Sequence, residues 1–251
     1  MSGTAPPRRV GVLGGMGPEA TVLLLQRVIA RTPAADDCDH VPMLVDMNTQ
    51  VPSRIRALIE GTGEDPGPVL AGMARRLEAM GAEALAMPCN TAHNYAGVIR
   101  AAATVPFLDM VEGTAASLAR AGVRRIGLVA SPAVRMTGVF ERALRPHGIE
   151  TLYPAAEAPM LAAIRAVKAG RDLEHARATL REAGEALLAT GAECLVVGCS
   201  EFSLIADALR PTERVVDSLD VLADAVVAFA LSGRDGSAAT QPNRMPSGER
   251  P

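Results

Sequence analysis

Gly81-Ala82-Glu83-Ala84-Leu85-Ala86-Met87-Pro88-Cys89-Asn90 has a counterpart far along the chain, Gly191-Ala192-Glu193-Cys194-Leu195-Val196-Val197-Gly198-Cys199-Ser200. Both open Gly-Ala-Glu, continue through an apolar run and reach a cysteine at the ninth position. A small polar residue follows each cysteine. A short apolar run bounded by glycine and a polar turn reads as a buried strand. Each copy is therefore a strand that delivers a cysteine at its C-terminal end.

Two further echoes keep the same order. Arg8-Arg9-Val10-Gly11-Val12-Leu13 returns as Arg124-Arg125-Ile126-Gly127-Leu128-Val129, and Asp109 returns as Asp217, each closing a short apolar run. Three matched landmarks indicate two halves of one construction. The expected limits are 8–104 for the first half and 122–231 for the second, with 105–120 crossing or packing at the boundary. Residues 232–251 are rich in Gly, Ser and Pro without apolar periodicity, and read as a disordered tail. Residues 1–7 read as a flexible lead-in.

Within each half, apolar runs alternate with helical periodicity. Strands are expected at 9–13, 42–47, 85–87 and 105–108, and again at 124–129, 150–153, 194–197 and 214–216. Helices are expected between them, with the longest at 172–190, and Ser131-Pro132 is read as opening a loop. Alternation of this kind predicts an α/β fold with parallel sheets and helices on both faces. Ligands in such folds bind outside the carboxyl ends of strands. Gly14, Asn48, Cys89, Ser131 and Cys199 all fall at those ends. The site is expected in the cleft between the halves, with one cysteine on each wall.

Composition narrows the function classes. Hydrophobic residues make up 49% of the 251 residues, enough for a core without covalent staples, while aromatics are 2% and Trp is absent. So few aromatics argue against a base-stacking surface. The net charge of −3, without a basic cluster, argues against nucleic acid as a partner. No apolar stretch approaches the ~18 residues of a membrane span. Met1 to Arg9 lacks the apolar run of a secretory signal. Four cysteines without a CxxC pair point to reduced thiols in a cytoplasmic enzyme rather than to zinc or a disulfide framework. A disulfide between Cys89 and Cys199 remains an alternative. Cys38, in a polar loop, and Cys194, inside a strand, read as small structural residues.

Gly14-Gly15-Met16-Gly17-Pro18 follows the first strand and precedes a helix. The spacing is not that of a dinucleotide fingerprint or a P-loop. It reads as a tight turn whose backbone N–H groups are open to an anionic ligand.

A thiolate is both base and nucleophile, and each cysteine precedes a helix start, whose N–H groups favour the anion. One thiol on each side of a carbon suits racemisation or epimerisation: one removes a proton, the other returns one to the opposite face. Such a route needs neither metal nor organic cofactor. It needs donors aimed at the substrate carboxylate, and Asn90, Thr91 and Ser200 are placed to donate.

The residues at this point resemble a known family. Met87-Pro88-Cys89-Asn90-Thr91-Ala92-His93 and Gly198-Cys199-Ser200-Glu201-Phe202 resemble the two signatures of the aspartate/glutamate racemase superfamily. Val12 to Pro18 and Asn48-Thr49-Gln50-Val51-Pro52-Ser53-Arg54 resemble motifs of its aspartate racemase branch. The resemblance covers about residues 8 to 231. It implies two Rossmann-like halves, a homodimer, and a pyridoxal-phosphate-independent racemase acting on a small acidic amino acid. Carried over, Cys89 and Cys199 are the acid/base pair. Asn90, Thr91 and Ser200 hold the α-carboxylate or amino group. Arg54 binds the side-chain carboxylate, with Lys168 beside it, and Met16, Asn48 and Gln50 complete the substrate positions. His93 and Glu201 are supporting residues; His93 would tune the cysteine, cap or pack. Ser200 stands where Thr is usual, and Phe202-Ser203 where Ile-Pro is common. A maleate isomerase-like or hydantoin racemase activity and a non-catalytic binder of an acidic metabolite are the competing readings, and Arg54 favours a dicarboxylate.

Overall fold

Residues 6–209 and 214–232 are described by the computed structural model. Of the tail expected at 232–251 all but Ser232, and of the expected lead-in the first five residues, lie outside them. The first half runs β1 (Val10–Gly14), α1 (Pro18–Arg31), β2 (Met43–Met47), α2 (Arg54–Leu58), α3 (Gly67–Ala79), β3 (Ala84–Ala86), α4 (Ala96–Ala102) and β4 (Phe107–Leu108). Helix α5 (Met110–Arg120) leads into β5 (Arg125–Ala130), α6 (Pro132–Thr137), α7 (Val139–Leu144), β6 (Glu150–Leu152), α8 (Glu157–Lys168) and α9 (Leu173–Ala189). Then come β7 (Cys194–Gly198), α10 (Ser200–Ser203), β8 (Val215–Asp217) and α11 (Ser218–Leu231).

Two four-stranded parallel sheets result, ordered β2-β1-β3-β4 and β6-β5-β7-β8. Their orders are the same, as the echoes predict. The inner strands β1, β3 and β7 are buried at every position, because helices cover both faces. That is why they read as unbroken apolar runs rather than alternating ones. The repeated glycine has one cause in both halves. A Cβ on Gly11 would lie 2.9 Å from the Ala82 Cβ, and one on Gly127 would lie 2.8 Å from the Leu187 Cβ. Both central strands are pressed too closely for a side chain.

The helices do not all stay with their own sheet. Met110, at the start of α5, packs with Val10, Val12 and Ala86 of the first sheet, but Val111, Ala115 and Leu118 pack with Ile126, Leu128 and Val196 of the second. Helix α11 makes the reverse journey. Leu219, Leu222, Ala223 and Val226 pack against Val10, Val12, Leu24 and Ala86. Each sheet is thus covered in part by a helix that follows the other in sequence. Asp109 and Asp217, the third echo, are the N-caps of these two helices. Asp109 accepts from the N–H groups of Val111 and Glu112, and Asp217 from that of Leu219.

Three local readings are corrected. Ser131-Pro132 opens a helix rather than a loop: the Ser131 hydroxyl accepts from the Val134 N–H and Pro132 takes the first turn. The segment after Cys89 begins as a 3-10 turn, Thr91–Tyr95, before α4. The strand expected at 105–108 is confined to Phe107–Leu108, since Pro106 has no N–H to donate to a neighbour.

Candidate active site

The ends of β1, β3, β5 and β7 converge on a cleft of about 370 Å³. The first half contributes Met16 after β1, Ser53, Arg54 and Ile55 at the start of α2, and Cys89 and Thr91 after β3. The second contributes Ser131 after β5, Ile164 and Lys168 from α8, and Cys199 and Glu201 after β7. The two cysteines of the repeat therefore line one cleft from opposite halves. Both are buried free thiols, so no disulfide joins them. Cys194 is buried in β7, and burial with the nearby Glu193 pushes its thiol up to about 11. Cys38 is exposed rather than packed.

Cys89 is fixed through its backbone. Its carbonyl accepts from His93 Nδ1 at 2.9 Å, and His93 Nε2 accepts from the Met110 N–H at 3.1 Å. Both bonds are satisfied by one neutral tautomer. Burial pushes the His93 imidazole below its ordinary value, against the opposing pull of Asp109. His93 does not line the cleft. It ties the Cys89 turn to the start of α5.

Cys199 is set differently. It is the N-cap of α10, and its Sγ donates to Glu201 Oε2 at 3.1 Å. Burial, then the Glu201 charge, push its thiol well above the ordinary value. Backbone N–H groups of Glu201 and Phe202 pull the other way, as the helix start predicts, and are outweighed. The expectation of a favoured thiolate is thus corrected for Cys199: a buried thiol beside a carboxylate keeps its proton. The other oxygen of Glu201, Oε1, lies 3.0 Å from Lys168 Nζ. Burial pulls the Lys168 ammonium down, but the adjacent Glu201 carboxylate more than restores it, and the net shift is upward.

Arg54 begins α2 and faces the cleft. Its Nη1 donates to the carbonyls of Val51 and Pro52, at 3.3 and 2.9 Å, while its buried Nε has no partner. No carboxylate among the described residues forms an ion pair with Arg54. The Thr91 and Ser131 hydroxyls meet across the cleft at 3.2 Å.

Other expected substrate positions fall outside the lining. Asn48 spends its Oδ1 on the Gln50 N–H at 2.9 Å, a side-chain turn within the loop, and Gln50 is exposed. Ser200 is buried: it lies between two cleft-lining residues at a helix start, where successive side chains diverge by about 100°. Asn90 is also buried, with neither amide atom paired. In the glycine turn one backbone N–H is already taken. The Gly15 N–H donates to Thr21 Oγ1 at 3.0 Å, and at φ +88° a Cβ on Gly15 would lie 2.4 Å from the Asn48 carbonyl. The turn closes β1 against the exit of β2.

The sequence reading missed Ser53, Ile55 and Ile164, and noted Ser131 only as a strand end. Ile164 had a signal: it lies one helical turn before Lys168, on the same face of α8. Among the described residues, no cluster of three or more His, Cys, Asp or Glu side chains could hold a metal ion. Nor is any described helix long and apolar enough to cross a membrane.

Comparison with known proteins agrees with this architecture. Residues 13–226 match the family model described as Asp/Glu/Hydantoin racemase. The chain is similar to the broad specificity amino-acid racemase RacX of Bacillus subtilis (strain 168), at 24% identity over 89% of this chain and 98% of that protein. It is 32% identical to a glutamate racemase of Neisseria meningitidis over 49% of this chain and 46% of that one. Among solved structures, an aspartate racemase of Picrophilus torridus superposes with a TM-score of 0.78 at 29% identity, over 89% of this chain and 94% of that one. With two parallel sheets, a cysteine from each at one cleft and a family match spanning most of its length, the chain belongs to the Asp/Glu/Hydantoin racemase family, and its activity is that of an isomerase.

Proposed function

We propose that this enzyme interconverts the enantiomers of a small acidic amino acid, aspartate first and glutamate second, by two-sided proton transfer between Cys89 and Cys199. The observation that carries the reading is the pair of buried cysteines lining one cleft from opposite halves. In one direction Cys89, as thiolate, takes the α-proton from one face, and the Cys199 thiol gives its proton to the other. The Cys199 thiolate left behind is stabilised by the Glu201 and Phe202 N–H groups already directed at the sulfur. The reverse direction exchanges the roles. Arg54, with an unpaired Nε and no carboxylate partner among the described residues, supports recognition of the substrate's side-chain carboxylate. Thr91 and Ser131 offer hydroxyls to its α-carboxylate or amino group. The reading extends to a homodimer, which the sequence resemblance implies, and to the cytoplasm, where reduced cysteines are expected.

Racemisation of L- and D-aspartate without added cofactor, followed by circular dichroism, together with α-proton exchange in deuterated water, tests the reading. Cys89→Ala and Cys199→Ala are each expected to cut racemisation by at least about 10²–10⁴-fold, while exchange of one enantiomer survives in each. Full racemisation by either variant would end the two-base reading.

A broader substrate range is the second reading. It is favoured by Lys168, which is engaged with Glu201 rather than free for a substrate carboxylate, and by the likeness to a broad specificity racemase. A panel of neutral and acidic amino acids in the same exchange assay separates the two.

A further inference from the structure

Glu201 uses both of its oxygens inside the cleft. One accepts the Cys199 thiol at 3.1 Å and the other meets the Lys168 ammonium at 3.0 Å. Its side chain is 11% exposed, so little water reaches the carboxylate, while the Lys168 side chain, 39% exposed, keeps one side in solvent. Among the described residues, Glu201 is the one carboxylate that lines the cleft, and it is bonded to the sulfur of Cys199; the Lys168 ammonium acts on both cysteines. The two cysteines, alike in sequence, therefore sit in different electrostatic surroundings.

We propose that Glu201 is a positioning residue that holds Cys199 as the protonated member of the pair in the resting enzyme, the donor in the direction that starts from that state, and that Lys168 sets how firmly it does so by pairing with the opposite oxygen of the same carboxylate. The proposal rests on the two-cysteine reading and assigns the unequal roles within it. When the Cys199 S–H bond breaks and a Cα–H bond forms, a thiolate is left 3.1 Å from a carboxylate. Like charges that close are unfavourable. Lys168 offsets that repulsion while the thiolate exists, and the α-proton removed from the substrate resides on Cys89. Of the other charged groups, Glu19 of α1 lies on the Glu201 side, each with a carboxylate oxygen within 4 Å of where a Cβ on Gly17 would sit. Arg54 faces Cys199 across the cleft from α2. Beneath α10, Asp217 is paired with Arg27 and bonded to the Ser203 hydroxyl. Among the charged side chains described, Glu201 is the one bonded to the sulfur.

Alkylation of Cys199 by iodoacetamide reports its thiolate directly. It is followed across pH in Cys89→Ala protein, with peptide mass analysis to separate Cys199 from Cys38 and Cys194. Below the midpoint, the rate at a fixed pH changes about tenfold when the midpoint moves by about one pH unit. Glu201→Gln is expected to lower the midpoint by about one pH unit or more and to speed alkylation at about pH 8 accordingly. Lys168→Met is expected to raise it, and Lys168→Arg, which keeps the counter-ion, to restore it. A midpoint unmoved in either Glu201→Gln or Lys168→Met, or moved in the same direction by both, overturns the proposal. A merely structural role would not move the midpoint in opposite directions. The measurement needs no turnover, so a protein that fails to racemise aspartate overturns the proposed function while Cys199 can still be titrated.

Discussion

His93 shows how one buried side chain couples the site to stability. Both of its ring nitrogens are used, on the Cys89 carbonyl and the Met110 N–H, and burial favours the neutral ring. Its folded value lies below the ordinary 6.5, chiefly through burial. In the unfolded chain it takes a proton near that ordinary value. Between the two values the unfolded state binds more protons, so the contribution to stability is fully present above about pH 6.5 and is lost as pH falls. Urea unfolding at about pH 7 and about pH 5.5 is expected to give a steeper loss for the native protein than for His93→Gln. Equal losses would show that His93 does not carry this dependence. The cysteine pair was legible because a repeat marks both members. The status of His93 was not: spacing placed it one turn beyond Cys89, but only the fold brings the Met110 N–H to its far nitrogen. The orientation of Ser200 was not legible for a related reason. Its hydroxyl chemistry suits a carboxylate, yet whether it faces the cleft depends on an angle that sequence does not give.

At the scale of elements, the strand ends were legible because buried parallel strands are short, apolar and closed by Gly, Asp or Cys. The Asp109 and Asp217 echo pointed to strand ends, and the structure shows them to be helix caps as well. They differ in what else they hold. Asp109 pairs with Arg100, whose side chain is 41% exposed, whereas Asp217 pairs with Arg27, at 16%. Burial pushes the Asp217 carboxyl above its ordinary value despite Arg27, so the pair is costly to bury but costlier to break. Asp217→Ala removes a cap, worth about 1 kcal/mol, and also leaves Arg27 and the Ser203 hydroxyl without their partner. A total loss of about 3 kcal/mol is expected in chemical denaturation. Asp109→Ala is expected to lose less, about 1–2 kcal/mol, because solvent reaches Arg100. The opposite ranking would mean that the cap, not the buried pair, dominates.

The whole molecule is held together by the exchange of α5 and α11. Periodicity shows which face of a helix is apolar, but not which of two similar sheets it covers, so the exchange was not legible. Its consequence is that neither sheet completes its core with the chain that builds it. Leu222 makes the point. It belongs by sequence to the end of the second half, is fully buried, and packs with the first sheet's Val10, Val12 and Ala86. Leu222→Ala leaves a cavity in that core and is expected to cost about 2–5 kcal/mol. The chain has two tyrosines and no tryptophan, and the tyrosines divide between the halves, Tyr95 after β3 and Tyr153 after β6. Tyr153→Phe and Tyr95→Phe variants therefore give a fluorescence probe for each half in turn. If the exchanged helices make the halves one cooperative unit, Leu222→Ala lowers both unfolding midpoints together. A shift seen by Tyr95 alone would mean that the halves unfold separately. The cleft would then be a meeting of two independent bodies rather than the seam of one.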